Sequence, residues 1–161
     1  MGIEIRPLGP GDREAFRHFV GGLSAASRLN RFMSPVRELP EALLGQLVRH
    51  ETGRHAALAA VEDGRIVGEG RWVRLGESDR AEFALCVADA WQHRGLARRL
   101  LAALQELAQQ AGLGVLEGEI LAGNESMLRL LRRAGFQLRR NAADRFVVHA
   151  ERPVEPIRRA A

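Results

Sequence analysis

The chain has 161 residues, 46% of them hydrophobic and 27% charged, which suits one soluble globular domain with a continuous core. All 24 basic residues are arginine, so the net charge is only +4 although the pI reaches about 11.0. Guanidinium does not titrate in the accessible range, and the pI therefore overstates how basic the surface is. Scattered arginines with 5% aromatics argue against nucleic acid as a partner, and no apolar window nears the length of a membrane span.

The single cysteine, Cys86, forms neither an internal disulfide nor a structural zinc site alone. His18, His50, His55, His93 and His149 show no ligand spacing, so no metal is expected. The start, Met1-Gly2-Ile3-Glu4-Ile5-Arg6, has no basic head followed by an apolar run, and the expected location is cytoplasmic.

In chain order, a strand over 3–8 is broken by Gly9-Pro10-Gly11, and Asp12 is placed to cap a helix over Arg13–Gly21. Residues 23–33 read as a loop or short helix, closed by Ser34-Pro35. After Pro40, the spacing of Leu43, Leu44, Leu47 and Val48 predicts a second helix. Strands over His55–Glu62 and 65–75 flank Asp63-Gly64, a strong hairpin signal. Arg80–Val87 follows as another strand. Leu96, Leu100, Leu101, Leu104, Leu107 and Ala108 form one stripe of a helix over 96–111, ended by Gly112. A strand over Val115–Leu121, a helix over 124–134 ended by Gly135, and strands over 136–139 and 145–150 complete the pattern. This order predicts an α/β (α+β) domain over residues 1–152, a mixed and mostly antiparallel sheet flanked by helices, with 153–161 as a flexible tail.

The stretch from Ala84 to Leu101 carries the chemistry. A buried strand enters a short loop, and the loop opens directly into an amphipathic helix whose first turn has unpaired N–H groups and partial positive charge. Gly95 and Ala97 keep bulk low there, so a phosphate group can approach, with Arg94, Arg98 and Arg99 at the rim. No G-x-x-x-x-G-K-[ST] is present, and a chain without lysine cannot build that loop. No G-x-G-x-x-G follows a strand, which leaves a dinucleotide fold unsupported.

Gln92-His93-Arg94-Gly95-Leu96-Ala97 resembles the coenzyme motif [QR]-x-x-G-x-[GA] of the GNAT acetyltransferase superfamily. Asn124 through Phe136 resembles its second motif, an asparagine, a helix, then Gly-Phe, at the spacing seen in that family. The resemblance covers about residues 3–150. It implies acetyl-CoA as co-substrate, with backbone amides of Gln92, His93, Arg94, Gly95, Leu96, Ala97 and Arg98 on the pyrophosphate. It also implies main-chain groups of Leu85, Cys86 and Val87 along the pantetheine arm, and Asn124 near its thiol end. Leu23-Ser24-Ala25-Ala26-Ser27-Arg28-Leu29-Asn30-Arg31-Phe32 is similar to a segment of bacterial Pat-type protein lysine acetyltransferases, as are residues 81–84 and 118–128.

Glu82 lies on the strand that leads into the coenzyme loop, and the narrower resemblance implies it as general base, directly or through water, toward a protein lysine, for instance on an acyl-CoA synthetase; Glu119 on the neighbouring strand is the reserve. A lysine ammonium must lose its proton before it attacks a thioester. The tyrosine that many relatives place in the second motif falls at Leu131, and the chain contains no tyrosine; solvent or Ser126 then protonates the thiolate, or it leaves as such. Cys86, mid-strand among apolar residues, reads as a small core residue rather than an acyl carrier. Arg28 and Arg31 are placed to meet acidic groups around an acceptor, or to pack a loop. The readings carried forward are a protein lysine acetyltransferase, a small-amine (polyamine or antibiotic-like) acetyltransferase, and a non-catalytic acetyl-CoA sensor, as a monomer or homodimer.

Overall fold

The computed structural model describes residues 2–158. The elements are β1 (Glu4–Pro7), a 3-10 turn (Pro10–Asp12), α1 (Arg13–Gly21), α2 (Ala25–Phe32), α3 (Glu41–Leu47), β2 (His55–Glu62), β3 (Arg65–Arg74) and β4 (Arg80–Val87). A second 3-10 turn (Asp89–Trp91) leads to α4 (Leu96–Gln110), β5 (Val115–Leu121), α5 (Glu125–Arg133), β6 (Gln137–Arg140) and β7 (Val147–Pro153). The strands form one sheet in the order β1-β2-β3-β4-β5-β7-β6. Every neighbouring pair is antiparallel except β4 and β5. Among the described residues no helix is long and apolar enough to cross a membrane.

Strand alternation divides the apolar residues between two layers. Ala56, Leu58, Ala60, Phe83, Leu85 and Val87 face α4 and α5, meeting Leu96, Leu100, Leu104 and Leu131. Ala57, Ala59, Ile66 and Cys86 face α1 and α3, meeting Phe16, Phe19, Val20 and Leu44. α4 lies close to β3 because β3 is glycine-bearing there. A Cβ on Gly68 would sit 3.1 Å from Leu100 Cδ1, and one on Gly70 would sit 3.0 Å from Leu104 Cδ1.

The differences from the sequence expectations have local causes. Residues 25–32 are helical because Ser24 Oγ accepts from Ser27 N at 3.1 Å and so caps the first turn. Asp12 does not cap α1: its carboxylate accepts from Gly9 N at 2.9 Å and pairs with Arg6 at 2.8 Å. The last strand starts later than 145, since Asp144 Oδ1 accepts from Phe146 N at 2.9 Å in a turn. It then continues through Pro153, and Val154 N donates to Gly114 O at 2.8 Å. The first residues of the expected tail, 153 and 154, are thus tied to the sheet, while 159–161 lie outside the described residues.

Candidate active site

β4 and β5 pair over only three residues, Arg80–Glu82 against Val115–Glu117. Just beyond, Phe83 lies against Gly118, where a Cβ would come within 3.0 Å of Phe83 Cε1 and 3.1 Å of Phe83 O. The Phe83 ring packs on Phe136 with centroids 5.2 Å apart. Beyond these residues the two strands are not paired, and a cleft of about 1070 Å³ is lined by the end of β4, the loop into α4, α2, α4 and α5.

Hydrogen-bond alternation decides which main-chain groups of β4 face that cleft. Leu75 N donates to Arg80 O, and Ala88 N donates to Val67 O, both on the β3 side. The even-numbered residues of β4 therefore direct their main-chain groups to β3, and those of Phe83, Leu85 and Val87 point toward the gap. Cys86 corrects the expectation made for it: its N–H and C=O belong to the β3 side, and it borders the cleft without offering a strand edge. Val87 O accepts from Gln92 Nε2 at 3.0 Å.

The loop between β4 and α4 is held through Asp89, Trp91 and Gln92 by β2 on one side and α2 on another. Trp91 Nε1 donates to Glu62 Oε2 at 2.7 Å, and Gln92 Nε2 donates also to Ser27 Oγ at 3.2 Å. Asp89 accepts from Ser24 N at 3.0 Å, Ser24 Oγ at 2.8 Å and Ser27 Oγ at 3.1 Å, which latches α2 onto the loop. Burial pushes the Asp89 carboxyl up, but these hydrogen bonds outweigh it and hold the group below its ordinary range. Nothing in the sequence reading pointed to Asp89; the signal was the pair Ser24 and Ser27, whose hydroxyls had no assigned acceptor.

His93 and Gly95 adopt φ values of 62° and 79°. Left-handed residues on either side of Arg94, just before α4 begins, are a backbone pattern of the kind that gathers N–H groups for an anion. A Cβ at Gly95 would meet no atom of the described residues within 4 Å, so the glycine answers the left-handed backbone and leaves the space beside it open. Gly95→Val is expected to cost about 1–3 kcal/mol of stability from the strained φ and to weaken acetyl-CoA binding. Unchanged melting temperature and unchanged coenzyme affinity would contradict both roles.

The cleft brings together Leu85, Cys86, Val87, Gln92, His93, Gly95, Leu96, Ala97, Arg98 and Asn124, but not Arg94, which is exposed outside it. Asn124 caps α5, its Oδ1 accepting from Met127 N at 3.4 Å. Ser126 lines the cleft, whereas Leu131 is fully buried in the core and does not. Burial pushes the Cys86 thiol up to about 12, so a nucleophilic thiolate is absent near neutrality.

Glu82 is exposed at the paired end of β4, opposite Glu117 in the register, and does not line the cleft. Neighbouring carboxylates are engaged: Glu117 and Glu151 bind Arg80, the latter at 2.7 Å, and Glu119 binds His149 Nδ1 at 2.9 Å. The Glu82 carboxylate has no hydrogen bond or ion pair among the described residues. Hydrogen bonding to Glu119 raises the His149 pKa above its ordinary value, with burial opposing and Glu151 adding to the rise. A folded pKa above the unfolded one, about 6.5, gives stabilisation that is complete below that value and lost as pH rises through the folded pKa. His149→Asn is therefore expected to lower the melting temperature more at pH 5.5 than at pH 9; an equal or reversed difference would contradict the charged pair.

The sequence reading also missed a buried ion cluster beneath α2. Glu69, 1% exposed, pairs with Arg31 and accepts from Arg71 Nε and Nη2, each at 3.1 Å. Burial alone would raise the Glu69 carboxyl; Arg31 and Arg71 outweigh it and hold the pKa below its ordinary value. The available signal was Gly68-Glu69-Gly70-Arg71, two charges in the middle of a strand whose neighbours are apolar. Arg28 likewise makes an internal contact, donating to Leu23 O, whereas Arg31 also borders the cleft.

Residues 24–136 match the Acetyltransferase (GNAT) family. The chain is 34% identical over 146 residues to Acetyltransferase PA5475 of Pseudomonas aeruginosa, covering 88% of this chain and 78% of that protein. It is 31% identical over 134 residues to Acetyltransferase Pat of Mycolicibacterium smegmatis, covering 81% of this chain but 40% of that longer protein. The GNAT domain of S. lividans PAT superposes with a TM-score of 0.88 at 27% identity, over 94% of this chain and 90% of that one. The fold is also that of yncA from Salmonella typhimurium, solved with acetyl-CoA, at a TM-score of 0.73 and 19% identity over 96% and 95% of the two chains. On the family match over residues 24–136 and the relation to PA5475, this chain belongs to the GNAT family of acetyl-CoA-dependent acetyltransferases.

Proposed function

We propose that the protein transfers the acetyl group of acetyl-CoA to a lysine side chain of a protein acceptor, with Glu82 as the base that removes the ammonium proton. The observation carrying this reading is the relation to Pat of M. smegmatis and to the GNAT domain of S. lividans PAT, together with the Pat-like wording of residues 23–32.

In this reading the pyrophosphate lies on the amides at the start of α4, the pantetheine arm runs along Leu85 and Val87, and the thioester reaches the region where β4 and β5 part. The acceptor enters from the sheet face that carries Glu82, Glu117, Glu119 and Glu151, where carboxylates attract an ammonium. Of these four, only Glu82 is uncommitted to an arginine or histidine, which supports its choice as base. The base accepts the proton directly or through one water, the neutral amine attacks the thioester carbon, and the C–S bond breaks to release the coenzyme thiol. No tyrosine exists to protonate the thiolate, leaving solvent or Ser126.

The test offers acetyl-CoA with an acyl-CoA synthetase in one arm and a panel of small amines in the other, with acetyl-lysine read by mass spectrometry. Because the chain has no lysine, acetyl-lysine in the first arm comes from the acceptor alone. Modification of the synthetase with little turnover of the panel is expected. Turnover of small amines without protein modification would overturn the protein-acceptor reading and keep the enzyme class.

A further inference from the structure

The cluster formed by Arg31, Glu69 and Arg71 is unbalanced in a specific place. Two guanidiniums share one carboxylate. Arg71 is satisfied beyond that, its Nη1 donating to Leu47 O at 3.0 Å. Arg31 is not: its side chain is 9% exposed, its Nε meets Glu69, and its Nη2 is buried without a hydrogen-bond partner among the described residues. A buried donor without an acceptor is costly, and one on a cation in a cluster of net positive charge is more so. Arg31 also lines the large cleft, beside Ser27, Asn30 and Cys86.

The fold holds this group rigidly. Glu69 faces Cys86 across the β3–β4 register, and Phe32 lies under the Arg31 guanidinium with 4.8 Å to the ring centroid. The Cys86 thiol stays neutral and supplies no counter-charge. A planar, fixed guanidinium with an unpaired N–H suits a carboxylate better than a carbonyl, because the carboxylate answers both the missing hydrogen bond and the missing charge.

We propose that Arg31 anchors a carboxylate-reading subsite in the acyl-transfer cleft. Its ligand is a carboxylate carried by one of the two reactants: the far end of a dicarboxylic acyl group on the coenzyme, or the carboxylate of an amino-acid-like acceptor. This rests on the cleft being the acyl-CoA site. The role predicted is one of binding and selection, with Arg31 taking no part in bond making.

Two matched ligand pairs separate the sources, and neither needs catalysis. In the donor arm, malonyl-CoA and butyryl-CoA are titrated calorimetrically into the protein without acceptor. In the acceptor arm, lysine and cadaverine, which differ by one carboxylate, are titrated by NMR into protein saturated with coenzyme A. In at least one arm the carboxylate-bearing ligand is expected to bind about tenfold tighter or more, the scale of one charge-assisted hydrogen bond. Arg31→Gln should bring the two members of that pair to similar affinity, and Arg31→Lys, which keeps the charge without the planar fork, should restore part of the difference. If Arg31→Gln does not fold by circular dichroism, Arg31→Lys carries the comparison alone. Equal affinity within both pairs in the wild-type protein, full discrimination in folded Arg31→Gln, or discrimination undiminished from wild type in Arg31→Lys, would overturn the proposal. Failure of the protein-lysine reading leaves the donor arm intact, since no acetyl transfer enters it.

Discussion

Glu82→Gln is expected to lower kcat by about 10²–10⁴-fold, the usual contribution of a positioned general base, with acetyl-CoA affinity unchanged. The two halves of this result come from different parts of the structure. Glu82 does not line the cleft and sits near the start of β4, at the end away from the loop that leads into α4, so the coenzyme site should not sense the substitution. The amide side chain keeps the shape of glutamate and removes only its capacity to take a proton. Since the lost function is deprotonation of an ammonium, the deficit should narrow as pH rises and the acceptor amine becomes neutral by itself. Steady-state rates at pH 7 and pH 9.5, with calorimetry of acetyl-CoA binding, check all three statements. Turnover unchanged at pH 7 would remove Glu82 from the mechanism and bring forward Glu119, whose partner His149 already accepts a proton readily.

The largest stability effect should come from Glu69→Ala. Among the described residues Glu69 is the sole carboxylate in direct contact with Arg31 and Arg71, and all three are nine-tenths buried or nearly so. Removing the shared partner leaves two cations facing each other away from water, a class of change that costs about 3–5 kcal/mol. In a domain of this size each kcal/mol corresponds to roughly 2–4 °C of melting temperature. Arg31→Gln should cost clearly less, because it leaves a balanced Glu69–Arg71 pair. Urea denaturation of the two variants side by side provides the check. Equal costs, or a Glu69→Ala effect below about 1 kcal/mol, the level of an exposed pair, would show that the cluster is solvated rather than buried.

The regular part of this molecule was readable from periodicity. The strand over Arg80–Val87 and the stripe from Leu96 to Ala108 follow from alternation and 3.6-residue spacing, and the loop between them locates the cleft. Local hydrogen bonds were harder to foresee, because they compete with one another. Asp12 satisfies Gly9 N and Arg6 instead of capping a helix, and Ser24 turns an ambiguous segment into α2. Hardest were contacts between residues far apart in sequence. Ser24 and Ser27 lie more than sixty positions from Asp89, and Arg31 lies 38 from Glu69; no spacing rule joins such pairs. The Cys86 main chain is an intermediate case. Its direction follows from strand alternation once a single bond, Ala88 N to Val67 O, is known, but the sequence does not say which parity faces β3.

The most direct test of how this chain holds its acyl donor is residue-resolved amide exchange and chemical-shift mapping by NMR, with and without acetyl-CoA. Protection and shift changes are expected at the amides of Leu85 and Val87 and from His93 through Arg98, with the Cys86 amide, already bonded on the β3 side, changing little. Coenzyme-induced protection centred elsewhere, or a response at Cys86 that exceeds those at Leu85 and Val87, would contradict the seating of the donor in the gap between β4 and β5.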